Sequence, residues 1–327
     1  METLLIITII LAFLITFIIT PYWIKRAKKA GLAGRDINKY EKPLIAESGG
    51  IAVVAGFLIS MLFYIGIKTF YFKTSTNLIE IFALLSTVLI ITIIGLIDDI
   101  LGWKIGIRQW QKPLICLLAA IPLMVINIGN TEMILPLIGN INVGLMYPLL
   151  LVPVAISGAS NGFNMIGGYN GLEAGMGAII LATLGIIVYS TGQTWISLIA
   201  FCMVFALLAF LIFNKHPAKV FPGNIMTYSV GALIAGIAII GNVEKAAIIL
   251  FTPYLLELFL KARGRFQKES FAKPNKDNSL ELLYPETYGL EHVMLRIIKK
   301  IKGKVYEKDI VRSLWLIEFV IALLILI

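Results

Sequence analysis

The 327-residue chain is 59% hydrophobic and only 14% charged, against roughly 45–50% and about 25% in an ordinary soluble domain. So much apolar surface cannot be enclosed in one soluble core, and lipid has to act as solvent for a large part of it. The net charge of +9 is concentrated between the apolar runs, which assigns it to membrane orientation and argues against nucleic acid as a partner.

A membrane-crossing helix takes about 20 mostly apolar residues. In chain order the candidate spans are 3–23, 49–67, 78–97, 113–128, 144–160, 172–190, 194–213, 226–241, 246–261 and 311–327, ten in all. The first is followed by Lys25, Arg26, Lys28 and Lys29 and by no small-residue cleavage site, so it reads as a retained span and not as a signal peptide. Cys116 and Cys202 both fall inside apolar runs, and no disulfide framework or metal-ligand spacing follows from them. With both chain ends facing away from the cytoplasm, every Lys and Arg except Lys68, Lys73 and Lys245 falls on the cytoplasmic side, the asymmetry that membrane insertion imposes. The expected fold is an all-α membrane protein, a polytopic bundle of about ten transmembrane helices in one domain over 1–327, with its active-site loops in the cytoplasm.

Two elements lie outside the spans. Gly129-Asn130 and Gly139-Asn140 mark turns and suggest a small hairpin over 129–143. In the cytoplasmic segment 262–310, Leu290, Val293, Met294, Ile297, Ile298 and Ile301 recur at helical spacing, with Glu291, His292, Arg296, Lys299, Lys300 and Lys302 on the polar face. Such a basic amphipathic helix either lies in the headgroup layer or packs on the bundle.

Four polar clusters stand at span ends, on the expected cytoplasmic side. The first is Arg35-Asp36-Ile37-Asn38-Lys39 with Glu47-Ser48-Gly49-Gly50; its glycines allow a ligand near the backbone, a helix N-terminus there favours phosphate, and the plain alternative is a turn capped by Ser48. The second is Asp98-Asp99, with Lys104, Arg108 and Lys112 downstream. Carboxylates ending an apolar span are costly unless used. Neighbouring helical residues diverge by about 100°, so one is expected to face a metal or phosphate while the other holds a lysine or a helix end. The third holds Asn161, Asn164 and Asn170 among four glycines; their amides suit Mg²⁺ or a nucleobase edge, or interhelical hydrogen bonds. The fourth runs from Pro217 through Phe221 and Asn224 to Gly231, with Phe221 available for base stacking or as an interfacial anchor. A transporter would more often set its polar groups mid-membrane on broken helices.

In this order, the motifs Asn38-Lys39…Glu47-Ser48-x-Gly50, Gly95-x-x-Asp98-Asp99, Asn161-x-x-Asn164…Gly168-x-Asn170-Gly171-Leu172-Glu173-Ala174-Gly175 and Val220-Phe221-x-Gly223-Asn224 resemble the polyprenyl-phosphate N-acetylhexosamine-1-phosphate transferase family. The similarity covers about 35–281 and is strongest to the branch with UDP-GlcNAc:dolichyl-phosphate GlcNAc-1-phosphotransferase. The resemblance implies ten membrane helices, often a homodimer, a UDP-sugar donor, a polyprenyl or dolichyl phosphate acceptor, and Mg²⁺ or Mn²⁺ as cofactor. It makes Asp98, Asp99 and Lys112 catalytic and Asn164 and Asn224 metal ligands. It gives Glu47, Asn170 and Phe221 to the nucleotide, and Arg263, Arg265 and Lys268 to the sugar. Two positions depart from the family pattern: Asn224 stands where an Asp is usual, and the segment 263–270 lacks the usual histidine.

Overall fold

The computed structural model describes residues 2–129, 132–135 and 139–327, and for 103–105, 132–135 and 139–141 the backbone alone. Asn130 and the side chain of Lys104 therefore lie outside the described residues.

Helix α1 (Glu2–Lys29) runs through Pro21 and past the end of the first apolar stretch, with Arg26, Lys28 and Lys29 in its last turn, where the negative end of the helix dipole favours cations. Strands β1 (Ala33–Arg35) and β2 (Leu44–Ala46) form a short antiparallel hairpin. Helices α2 (Gly50–Phe70) and α3 (Leu78–Ile105) follow, α3 breaking at Gly102. The fourth predicted span divides into α4 (Gln111–Cys116), a tight turn Leu117–Ala120 and α5 (Ile121–Val125). Strands β3 (Glu132–Leu135) and β4 (Gly139–Asn142) pair antiparallel within the expected segment, but Gly139-Asn140, expected to mark a turn, opens β4 instead.

A wide helical turn at Tyr147–Leu151 leads into α6 (Val152–Met165), and α7 (Leu172–Ser190), α8 (Thr194–Asn214) and α9 (Gly223–Gly241) follow. The ninth predicted span is two helices, α10 (Glu244–Leu250) and α11 (Thr252–Arg263), parted just before Pro253, because proline removes a donor and clashes with the preceding turn. After the short pair β5 (Lys273–Pro274) and β6 (Leu280–Glu281) come α12 (Leu290–Lys302) and α13 (Glu307–Leu326).

Among the described residues, six helices, α1, α2, α3, α7, α8 and α9, are long and apolar enough to cross a membrane individually. The other four predicted stretches are divided into shorter pieces or, in α13, carry Asp309, Arg312 and Glu318. The protein is therefore an integral membrane protein of helical class, with large apolar side chains such as Ile6, Ile10, Phe17, Leu89, Leu149 and Phe319 exposed on its outside, as lipid contact requires.

Helix α9 is the centre of the bundle and is buried along most of its length, against α3, α6, α2, α7 and α8. Small residues permit this, since without a hydrophobic drive between helices close backbone packing holds membrane bundles together. A Cβ on Gly231 would stand 2.4 Å from the Ala159 carbonyl oxygen of α6. Thr92 of α3 and Ser229 of α9 share a buried hydrogen bond of 2.7 Å.

Helix α12 has the predicted bounds but a different rotation. Glu291 and His292, expected on its polar face, are fully buried together with Met294 and Leu295, while Ile297 and Ile301 are exposed. Polar groups of other segments, which periodicity cannot reveal, stand against this face, and both Glu291 carboxyl oxygens are buried with no hydrogen-bond partner among the described residues. Glu257, Lys261 and Ser270 of the preceding helix and loop meet this face, and Glu257 accepts the Leu290 N–H at 2.6 Å. Burial holds the Glu291 carboxyl well above the usual carboxylate range and His292 below the usual imidazole value, so both favour their neutral forms.

Replacing Gly231 by Leu should force α6 and α9 apart and cost at least about 1–3 kcal/mol, the usual penalty for overpacking. Thermal unfolding in detergent should register a lower midpoint than for Gly158→Leu, where a Cβ meets open space.

Candidate active site

The site begins with backbone contact between segments distant in sequence. The Phe221 N–H donates to the Ala46 carbonyl at 2.7 Å, and the Gly49 and Gly50 N–H groups donate to the Phe221 and Pro222 carbonyls at 2.8 Å each. This zips the start of α2 onto the approach to α9. A Cβ at Gly95 would lie 2.7 Å from the Asn224 carbonyl, and one at Gly223 would lie 2.2 Å from the Asp99 carboxylate. The glycines expected to admit a ligand thus admit a neighbouring backbone first. Ser48 is not a helix cap; it stands beside Asp99 against Gly223.

The two aspartates part as the helical angle requires. Asp99 accepts the Asn224 N–H at 2.8 Å and the Ile225 N–H at 3.5 Å, so it caps α9 from another helix and meets its positive dipole end. Asp98 is 5% exposed and takes three partners: the Ile107 N–H at 3.0 Å, the Asn224 side-chain amide at 2.7 Å and the Lys112 ammonium at 2.6 Å. One turn along α9, Thr227 donates to the Asn164 side-chain oxygen at 2.8 Å. Asp98, Asp99, Lys112, Asn164 and Asn224 therefore converge from α3, α4, α6 and α9. Asn161 instead bonds the Ser157 carbonyl at 2.9 Å within its own helix.

The carboxylates and amide oxygens of this set, Lys112 apart, are hard oxygen donors of the kind Mg²⁺ takes, one or two carboxylates with room for water and substrate phosphate. Among the described residues no three His, Cys, Asp or Glu side chains form a ready metal cage, and the Asn224 oxygen has no hydrogen-bond partner while its nitrogen faces Asp98. The donor set fits a magnesium that shares its coordination with a ligand, and not an all-protein cage.

Other predicted residues lie close by in a separate buried junction. Asn170 is 3% exposed. Its side-chain nitrogen donates to Asp36 at 3.0 Å and Glu307 at 2.6 Å, and its oxygen accepts the Ala218 N–H at 2.7 Å. Lys39 pairs with Glu307 and lies 3.5 Å from Asp36. Asn170 thus has its amide engaged in joining three segments. Glu307 was missed from the sequence, where an acid opening a helix looks ordinary. Glu47 packs on Gly34, and burial raises its carboxyl above the usual range; Phe221, half-buried, is joined to the same hairpin through Ala46.

Arg263 ends α11 and Arg265 and Lys268 follow it on the loop, all three exposed. Arg263 pairs with Glu286 at 3.1 Å, and Lys268 stands over the Tyr284 ring at 4.9 Å. The loop is tied to the third cluster, since the Tyr169 hydroxyl donates to the Ser270 carbonyl at 3.1 Å and the Asn38 side chain bridges Gly168 and Ala272. The structure brings these cations to the same end of the bundle, not into contact with Asp98. Beside Pro113 and Asn161 an apolar cavity of about 470 Å³ runs between α6, α9 and α11 as far as Glu244.

The profile of glycosyl transferase family 4 matches residues 81–242. A Saccharolobus solfataricus protein provisionally named UDP-N-acetylglucosamine–dolichyl-phosphate N-acetylglucosaminephosphotransferase is 38% identical over 97% of this chain and 94% of its own. A Sulfolobus acidocaldarius protein of the same provisional name is 35% identical over the same shares. The phospho-N-acetylmuramoyl-pentapeptide-transferase of Halalkalibacterium halodurans is 33% identical over 79% of this chain and 81% of its own.

The Lys39–Glu307 pair makes a stability prediction. Glu307→Leu should cost about 3 kcal/mol by stranding a buried cation, at the low end because Asp36 remains. Adding Lys39→Met together with Asp36→Leu, which removes the whole buried ion cluster, should recover part of that loss in thermal unfolding, whereas Lys39→Met alone leaves Asp36 a buried anion and should recover none; a triple variant as unstable as the sum of the singles would contradict the pairing.

Proposed function

The chain belongs to glycosyl transferase family 4, and from that premise we propose that it transfers a sugar-1-phosphate, N-acetylglucosamine-1-phosphate first among candidates, from a UDP-sugar to a membrane polyprenyl or dolichyl phosphate, releasing UMP. The observation that supports this reading is the direct bonding of Asp98 to Lys112 and Asn224, with Asn164 of α6 bonded to Thr227 one turn along α9, beside an apolar cavity between α6, α9 and α11.

In this proposal the divided helices complete ten crossings: α4 with α5, α6 with its preceding turn, α10 with α11, and α13 join the six long helices. The basic loops then lie in the cytoplasm, where UDP-sugars are available. The acceptor's tail lies in the cavity between α6, α9 and α11, and its phosphate emerges beside Lys112.

A phosphate monoester has a second pKa near 6 and is mostly dianionic at neutral pH, so no strong base is required. Its oxygen bonds the β-phosphorus of the donor, the bond from that phosphorus to the bridging oxygen breaks, and the electron pair leaves with UMP. The obstacle is bringing anions together. Lys112 donates to the pyrophosphate. Asp98 and the side-chain oxygens of Asn164 and Asn224 would hold Mg²⁺, which would supply neutralisation of the phosphate charge. Asp99 acts as a positioning residue by holding the first N–H groups of α9, and Asn170 by locking the loop beneath the nucleotide. Glu47 and Phe221 flank the uridine, and Arg263, Arg265 and Lys268 reach toward the sugar.

UMP release by purified protein should require both a polyprenyl phosphate and Mg²⁺. Asp98→Asn, Lys112→Ala and Asn164→Ala should each lower kcat by about 10²–10³-fold, the scale of losing one group that stabilises developing charge; near-normal turnover in all three would end the assignment. Uptake of a UDP-sugar without UMP release would mark a transporter instead.

Asn224→Asp should lower the Mg²⁺ concentration giving half-maximal rate, because a charged carboxylate replaces a neutral amide oxygen among the ligands. An unchanged Mg²⁺ requirement would remove Asn224 from the metal.

A further inference from the structure

At the expected cytoplasmic end of α13, a cleft of about 320 Å³ separates this helix from α12. It is lined by Ile298, Ile301, Lys302, Arg312, Ser313 and Leu316, together with Asp309. The Lys302 ammonium sits 3.1 Å from the Asp309 carboxylate. Arg312 is exposed and makes no ion pair among the described residues. The cleft therefore carries one cation more than its acid neutralises, and exposed Lys300 and Lys308 add to the excess nearby.

The apolar side of the cleft continues into the membrane. Ile301 is 78% exposed and Leu316 62% exposed. Leu316, Phe319, Val320 and Leu323 are all exposed and follow i, i+3, i+4, i+7 spacing, which sets them in one stripe; Arg312 stands one turn ahead of Leu316 on that stripe. A planar guanidinium at the head of an apolar stripe suits a phosphate whose attached chains run down the helix.

We propose that this cleft binds an anionic phospholipid of the cytoplasmic leaflet, its phosphate on Arg312 and Lys302 and an acyl chain along Leu316 to Leu323. The assignment rests on the orientation given under the proposed function, and it explains why α12 leaves Ile301 unpacked while burying Glu291. A zwitterionic headgroup would bring its own cation against Lys300, Lys302 and Lys308, so a net negative lipid is the match.

The test counts lipid retained by the purified full-length protein in native mass spectrometry, with dioleoyl-phosphatidylglycerol and dioleoyl-phosphatidylcholine as probes. One phosphatidylglycerol per chain should be retained in preference to phosphatidylcholine. Arg312→Gln should weaken retention about fivefold, the worth of one basic residue near an anionic surface, and Lys302→Gln with Arg312→Gln should weaken it further. Arg26→Gln with Lys29→Gln, which removes two charges at the end of α1, should leave it unchanged.

Equal retention of phosphatidylcholine, or equal loss in the α1 variant, would overturn the proposal in favour of diffuse attraction. Stronger retention of a polyprenyl phosphate than of phosphatidylglycerol, abolished by Arg312→Gln, would overturn it in favour of an acceptor site. If the double variant does not fold, Arg312→Gln alone, at an exposed position, still decides. Protein that retains phosphatidylglycerol as described but releases no UMP would refute the transferase reading and leave the lipid site standing. UMP release with no preferred lipid would do the opposite.

Discussion

The contact on which the rest of the site depends is the carboxylate of Asp99 against the first N–H groups of α9. A helix start has donors without partners, and a carboxylate supplied by another helix satisfies them while meeting the positive end of the dipole. This contact sets the end of α3 on the start of α9 and thereby brings Asn224 to Asp98. The glycines at 95 and 223 follow from it, since a side chain at either position would occupy the space that the backbone or the carboxylate already fills. Of two adjacent acids, one thus caps a helix while the other meets Lys112 and Asn224.

Two further polar junctions hold the loops at this end of the bundle. One joins Asp36, Lys39, Asn170, Ala218 and Glu307; the other joins Glu257, Lys261, Ser270 and Leu290 beside the buried Glu291. Buried charge is costly unless it is paired and hydrogen-bonded. Where several partners meet, the same cost ensures that a misplaced loop is heavily penalised. Loops that must present a nucleotide and a lipid phosphate to one another gain precision from such junctions, which apolar packing alone supplies less well.

The membrane shapes the remainder. Helix α9 can be surrounded because it presents small residues to its neighbours, and the helices outside it turn large apolar side chains to lipid. Helix α12 combines both environments, burying Glu291 and Leu295 against the bundle and leaving Ile297 and Ile301 outside. Of the two readings of its apolar face, bundle packing describes the side that carries Met294, Leu295 and Ile298.

Hydrophobic run length was enough to make this a helical membrane protein and to locate its six long apolar helices, because it depends on composition summed over many residues. The order of polar motifs was enough to relate it to a family. Which aspartate caps a helix and which meets Lys112 was settled by the crossing of α3 and α9, and adjacent letters in a sequence carry no such distinction. The engagement of Asn170 with Glu307, 137 residues away, and the rotation of α12 toward Glu257 likewise depend on partners brought near only by folding. Local pattern decides where a helix forms; the desolvation cost of buried polar groups, paid against distant partners, decides which way its side chains face.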